Sequence, residues 1–142
     1  MNSVWQQPPE ERLKLWRKFR KDNEHLEDLE CLQAVLDWWK FTPLGSRAID
    51  PYNRETWPDP WELVFEGNFD ENAVALGIAY TLHLMDWPCT VALVQDIEKT
   101  FFGLVVIVDD HYILNYNYGE IGIYSKINDI EILESYSTEE LT

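Results

Sequence analysis

The chain has 142 residues, of which 46% are hydrophobic, with seven Trp, seven Tyr and six Phe. That excludes a disordered polar segment and suits one domain able to bury roughly two-thirds of its unfolded surface. Its formal net charge is −15, divided so that residues 1–21 carry +4 and the remainder −19. An acidic body with one short basic segment excludes a general binder of nucleic acid or anionic membrane, because phosphate contact needs a concentrated positive surface. Other proteins are therefore the expected partners, with no membrane and no direct nucleic acid.

Cys31 and Cys89 are too few for a disulfide framework, so reduced thiols in a cytoplasmic setting are expected. The first residues, MNSVWQQPPEERLKLW, lack the charged-then-apolar order of a signal peptide, and no apolar run reaches membrane-spanning length. The expected location is the cytoplasm of the producing cell, with incorporation into a virion as an extension of that reading.

Pro8 and Pro9 ahead of Glu10 and Glu11 open a first helix with Pro in the first turn and acids at the positive dipole end. Leu13, Trp16 and Phe19 form its apolar stripe, and Arg12, Lys14, Arg17, Lys18 and Lys21 are expected mostly on the wet side. A second helix is expected from about Leu26 to Lys40, with Leu29, Leu32, Val35, Leu36 and Trp39 on one face. Adjacent Trp38 and Trp39 point in different directions, so one of them leaves that face. Thr42 to Gly45 ends the helix, and Ser46 to Asp59 reads as loop. Trp61 to Val64 predicts a short helix ahead of Gly67.

The stretch from Trp57 to Met85 holds the most apolar helical pattern. Asn68 is the expected N-cap, with Glu71 closing a capping box and Asp70 in the first turn. From Ala73 to Met85 the pattern is apolar on nearly every side, which marks a helix enclosed by the fold. Gly77 within it predicts close approach of a strand or a second helix. His83 reads as a core histidine.

Strands are expected at Cys89–Asp96, Phe101–Val108, Tyr112–Tyr118, Ile121–Tyr124 and Ile130–Tyr136, with turns at Asp109-Asp110 and Asn128-Asp129. The class is α+β: N-terminal helices and one buried central helix packed on a mostly antiparallel sheet of four or five strands. The expected organisation is a single domain over 1–142, with a basic helical arm at 1–23, a body at 24–136 and a polar, fraying tail at 137–142.

The segment Gly67-Asn68-Phe69-Asp70-Glu71-Asn72-Ala73, followed by an enclosed helix and then an antiparallel sheet, resembles the transglutaminase-like branch of the papain-like cysteine enzymes. In that layout a helix N-terminus stabilises a thiolate, and residues on successive strands supply and orient the base. The resemblance implies a cysteine at the place of Asp70, a histidine around Phe101 and Phe102, and an aspartate near Asn115. None of those groups is present, so it implies a non-catalytic relative. Ser46-Arg47-Ala48-Ile49-Asp50-Pro51-Tyr52 and Trp57-Pro58-Asp59-Pro60-Trp61-Glu62-Leu63 also resemble small uncharacterised proteins of T4-like phages of marine bacteria. That resemblance implies a virion component or a factor acting on the infected host.

The expected function is a non-enzymatic protein-interaction module, docking through the basic helix with Arg12, Arg17 and Lys18 and anchored by Trp5, Trp16, Trp57 or Trp61. One alternative is an acidic inhibitor that mimics nucleic acid. The other is a thiol-dependent hydrolase or acyl transferase pairing Cys89, or Cys31, with His111, or His83. No cofactor or metal is expected: the spacing of metal ligands and the glycine-rich phosphate loops are both missing from the sequence, and Asp109, Asp110 and His111 read as a solvated turn.

Overall fold

An apolar helix with no polar face has to be surrounded, and in this chain it is. The computed structural model describes residues 3–98, 100–127 and 129–141. Helix α4, Glu71–Leu84, is buried continuously from Ala73 to Leu82. It lies between a helical layer and a sheet. The helical layer comprises α1 (Pro9–Asn23), α2 (Asp28–Lys40) and α3 (Pro60–Glu66). Strands β1 (Cys89–Asp96), β2 (Phe102–Val108), β3 (Tyr112–Leu114), β4 (Ile121–Ile123) and β5 (Ile130–Ser137) form one sheet in the order β4-β3-β2-β1-β5. All its pairings are antiparallel. The architecture is α+β, as expected.

Gly77 is the point of closest helix contact. A Cβ there would collide with the ring of Trp39 on α2, so only glycine lets the two helices meet at this depth. One turn further on, the Thr81 hydroxyl accepts hydrogen bonds from Trp16 Nε1 at 3.0 Å and Trp39 Nε1 at 2.9 Å, and donates to the Gly77 carbonyl at 2.7 Å. All three side chains are almost wholly enclosed. One hydroxyl thereby satisfies two buried indoles from two helices, using both its lone pairs and its proton. Trp38, the other member of the pair, leaves that face and packs 4.7 Å from Phe19 and 6.1 Å from Trp5.

The sheet carries apolar residues on both faces. Val91, Leu93, Leu104 and Val106 meet α4, while Val94, Val105, Ile107 and Ile113 form a second cluster on the outer face. No helix covers that outer face among the described residues. The connection from β4 to β5 crosses it instead, laying Tyr124 and Ile127 on the cluster, and the Ile97 amide donates to the Asp129 carbonyl at 2.7 Å near its far end.

Several expectations are corrected. Helix α2 begins at Asp28, and Leu29 is 55% exposed rather than on the core face. Arg12 is not on the wet side. Its guanidinium is buried and donates to the carbonyls of Gln7, Val64 and Phe65, supplying partners for the open C-terminal carbonyls of α3. Strand β3 stops at Leu114 because Asn115 takes a left-handed conformation, φ 70°. The stretch expected to fray is structured to Leu141: α5, Thr138–Leu141, follows β5 directly, with Thr138 buried. Asn128 of the expected turn, and Thr142, lie outside the described residues. No helix among the described residues is long and apolar enough to cross a membrane.

Candidate functional site

The N-terminus of α4 is where the resembled enzymes would carry their chemistry. Its N-cap is Asp70, not Asn68. Both residues can cap, but the Asp70 carboxylate has two amides in reach. Oδ1 accepts from Ala73 N at 2.7 Å, closing the first turn, and Oδ2 accepts from Ile49 N at 2.9 Å, tying down the preceding loop. Asn68 instead offers its backbone carbonyl to Arg47, whose guanidinium pairs with Glu66. With each oxygen committed to a backbone amide, Asp70 holds structure together and is not placed as a free base.

Asn115 and Asn72 complete this end of the helix. Because β3 ends early, Leu104 of β2 is paired with Leu93 of β1 on one side but has no strand on the other, and there the two asparagines take the strand's place. Asn72 Oδ1 accepts from Leu104 N at 2.9 Å, while Asn115 Nδ2 donates to Leu104 O and to Glu71 O, each at 3.2 Å. Asn115 thus bridges α4 and β2 and orients no imidazole. Phe101 does not join the site: its ring packs on the outer cluster, 5.0 Å from that of Tyr116. Phe102 lies instead with its ring 5.9 Å from Tyr52, and both are half exposed. Among the described residues, the arrangement brings neither a thiol nor an imidazole to this end of the helix. Among the described residues no three His, Cys, Asp or Glu side chains stand together as a metal site.

Of the rival thiol pairings, Cys89 and His83 come to one cleft, and His111 lies outside it. Cys89 lines a cleft of about 300 Å3 at the opposite end of α4, together with His83, Asp109, Asp110 and Thr138, and His111 is not among the lining residues. The His111 ring is exposed and packs 4.5 Å from Tyr112. His83 is half-buried, its Nδ1 3.1 Å from Thr138 Oγ1. Burial pushes the Cys89 thiol up to about 12 and also raises that of Cys31, the reverse of what a nucleophile requires.

The aromatic anchors are divided between inside and outside. Trp5, Trp16 and Trp57 are buried; Trp57 donates its indole N–H to the Asp50 carbonyl at 2.7 Å. Of the four, Trp61 is the one turned outward, 50% exposed, and Arg17 and Lys18 are exposed as expected, Lys18 pairing with Asp22. Sequence reading missed Asn72 and Thr81. The signal for Thr81 was available: the one aliphatic hydroxyl in an apolar helix, within a chain rich in tryptophans that need acceptors when buried.

No family model matches the chain, and no curated protein matches its sequence. Its fold is similar to that of LapG from Legionella pneumophila, with 15% identity over 90% of this chain and 75% of LapG, and a TM-score of 0.71. The calcium-bound form of LapG gives 16% identity over 92% and 77% of the two chains, with a TM-score of 0.69. The EGTA-treated form gives 14% over 90% and 73%, with a TM-score of 0.70. At such identities the likeness speaks to fold alone, and on that point it agrees with the order of elements read along the chain: the fold is transglutaminase-like.

Proposed function

We propose that this chain is a non-catalytic protein-interaction module on a transglutaminase-like fold, serving a phage particle or its assembly. The observation that carries the non-catalytic half is the N-cap of α4, where a carboxylate bonded to two backbone amides stands in place of a thiol. Phe102 and Asn115, the neighbours on β2 and at the end of β3, contribute an aromatic ring and a structural amide. Both thiols elsewhere are buried and held protonated. The phage half is supported by the likeness of residues 46–52 and 57–63 to small proteins of T4-like phages.

Two measurements test the two halves. Native alkylation at neutral pH should modify Cys31 and Cys89 slowly; rapid modification of Cys89 would overturn the non-catalytic reading. Tagged protein captured from its producing cells should retain particle proteins at high salt, and the chain should be found by mass in purified particles. Salt-sensitive retention of a host nucleic-acid enzyme, competed by DNA, would replace that reading with a nucleic-acid mimic.

A further inference from the structure

Trp61 and Phe65 of α3 are 50% and 45% exposed, and with Leu13 of α1 they line one apolar groove of about 270 Å3. Large aromatics are costly to leave in water and are over-represented at the centres of protein interfaces. The groove's two sides carry opposite charge. On α1, Arg17 lies one turn beyond Leu13 on the same side of the helix, and Lys14 and Lys21 are exposed beside it. On α3, Glu62 and Glu66 form the other wall, continued by Asp59 at the helix start. Glu66 already has Arg47 on its far side, whereas Glu62 is crowded by Asp59 through a hydrogen bond and like charge, which raises its carboxyl above the ordinary value.

We propose that the α1–α3 groove is a two-fold self-association face, occupied by a second copy of this chain. A two-fold axis through an apolar strip with a basic flank and an acidic flank exchanges the flanks, so each Arg17 side meets the other copy's Glu62 side. Trp61 and Phe65 of both copies are then buried at the centre. A partner of uniform charge would gain on one flank and face like charge on the other. The net charge of −15 opposes association only at longer range, and salt screens it beyond about 8 Å at physiological ionic strength, whereas the flank pairs act at contact. A standard interface takes about 800 Å2 per partner, roughly a tenth of the 7879 Å2 surface, within the reach of two adjacent helices. This assignment deepens the interaction-module reading and rests on it.

Sedimentation velocity of the full chain over the micromolar range tests it. The wild type should show a concentration-dependent dimer. Trp61→Ser should weaken it about a hundredfold, since the anchor is lost twice by symmetry. Arg17→Glu alone and Glu62→Arg alone should each weaken self-association by at least about tenfold, because each sets like charges against each other at the two places where positions 17 and 62 meet across the axis. An equimolar mixture of those two variants should associate again, since positions 17 and 62 then carry opposite charges at both of those places. All substituted side chains are exposed, and circular dichroism would confirm that the variants remain folded. A chain that stays monomeric, a dimer indifferent to all three substitutions, or a failure of the mixture to recover would overturn this face. None of those outcomes touches the non-catalytic reading, which turns on thiol alkylation.

Discussion

The N-terminus and the middle of α4 solve the same problem differently. At its N-terminus, backbone N–H and C=O groups from the helix, the 46–59 loop and β2 are satisfied by side chains drawn from a polar, partly solvated cluster: Asp70 and Asn72 accept from amides, and Asn115 donates to carbonyls. Around Gly77 and Thr81 the side chains are fully enclosed; one hydroxyl holds two tryptophans from two other helices, and one missing Cβ makes room for the ring of Trp39. The contrast teaches that the fold's rigidity lies in the enclosed part. Chemistry at the N-terminus can be exchanged for capping without disturbing the packing beneath it.

The largest effect expected is therefore at Thr81. Thr81→Val keeps the shape but leaves two enclosed indole N–H groups without an acceptor, each costing about 1–3 kcal/mol. Chemical denaturation should show the midpoint falling accordingly. Gly77→Ala should cost about 3 kcal/mol or more, because the Trp39 ring has no free space to move into. If either change were as mild as one at the N-terminus, the comparison would fail. Asp70→Ala removes a cap and should cost about 1 kcal/mol, and Asp70→Asn should recover only part of that, because its one oxygen can keep the Ala73 amide while its NH2 group then faces the Ile49 amide. Chemistry introduced at that end sharpens the contrast further: Asp70→Cys combined with Phe102→His should give a thiol alkylated far faster than either native cysteine, at about the same stability cost as Asp70→Ala. A pH–rate profile placing that thiol at or above its ordinary value would show that the site does not correspond to the enzymes' reactive centre.

The smallest effect is alkaline. Cys89 has its thiol raised by burial from 9.0 to about 12, so the unfolded chain loses that proton first. Stability from this group is complete below about pH 9 and lost progressively as pH rises towards 12, about 1 kcal/mol by pH 10. Tyr80, raised by burial and bonded to the Pro58 carbonyl at 2.8 Å, acts in the same direction. Cys89→Ala should flatten the thiol's part of the slope in denaturation midpoints measured from pH 8 to 11.

Much of this was legible in sequence because the enclosed part obeys local rules. An all-apolar helix, β-branched runs and a glycine inside that helix pointed to α4, β1, β2 and the close approach at Gly77. The N-terminal end was legible only in outline. Asn68 and Asp70 have equal capping chemistry, and what separates them is the Ile49 amide, 21 residues away in the chain. Arg12 was misplaced for the same reason: helical spacing put it among solvated cations, while two of its three carbonyl partners lie more than 50 residues on. Strand β3 was overextended because alternation continues to Tyr118, whereas the backbone turns at Asn115.

The crossing from β4 to β5 also sets an order of events on the ribosome. Strand β1 pairs with β2 on one side and with β5 on the other, so its second edge stays unpaired until residues 130–137 have emerged. Over the same interval the outer cluster around Val105 and Ile107 lacks the strap that later covers it. A nascent chain stalled before residue 124 would carry an open strand edge and a bare apolar face together, the combination that recruits chaperones or seeds aggregates. Release of the finished strap, rather than burial of α4, would mark the moment at which the newborn protein becomes safe to leave its ribosome.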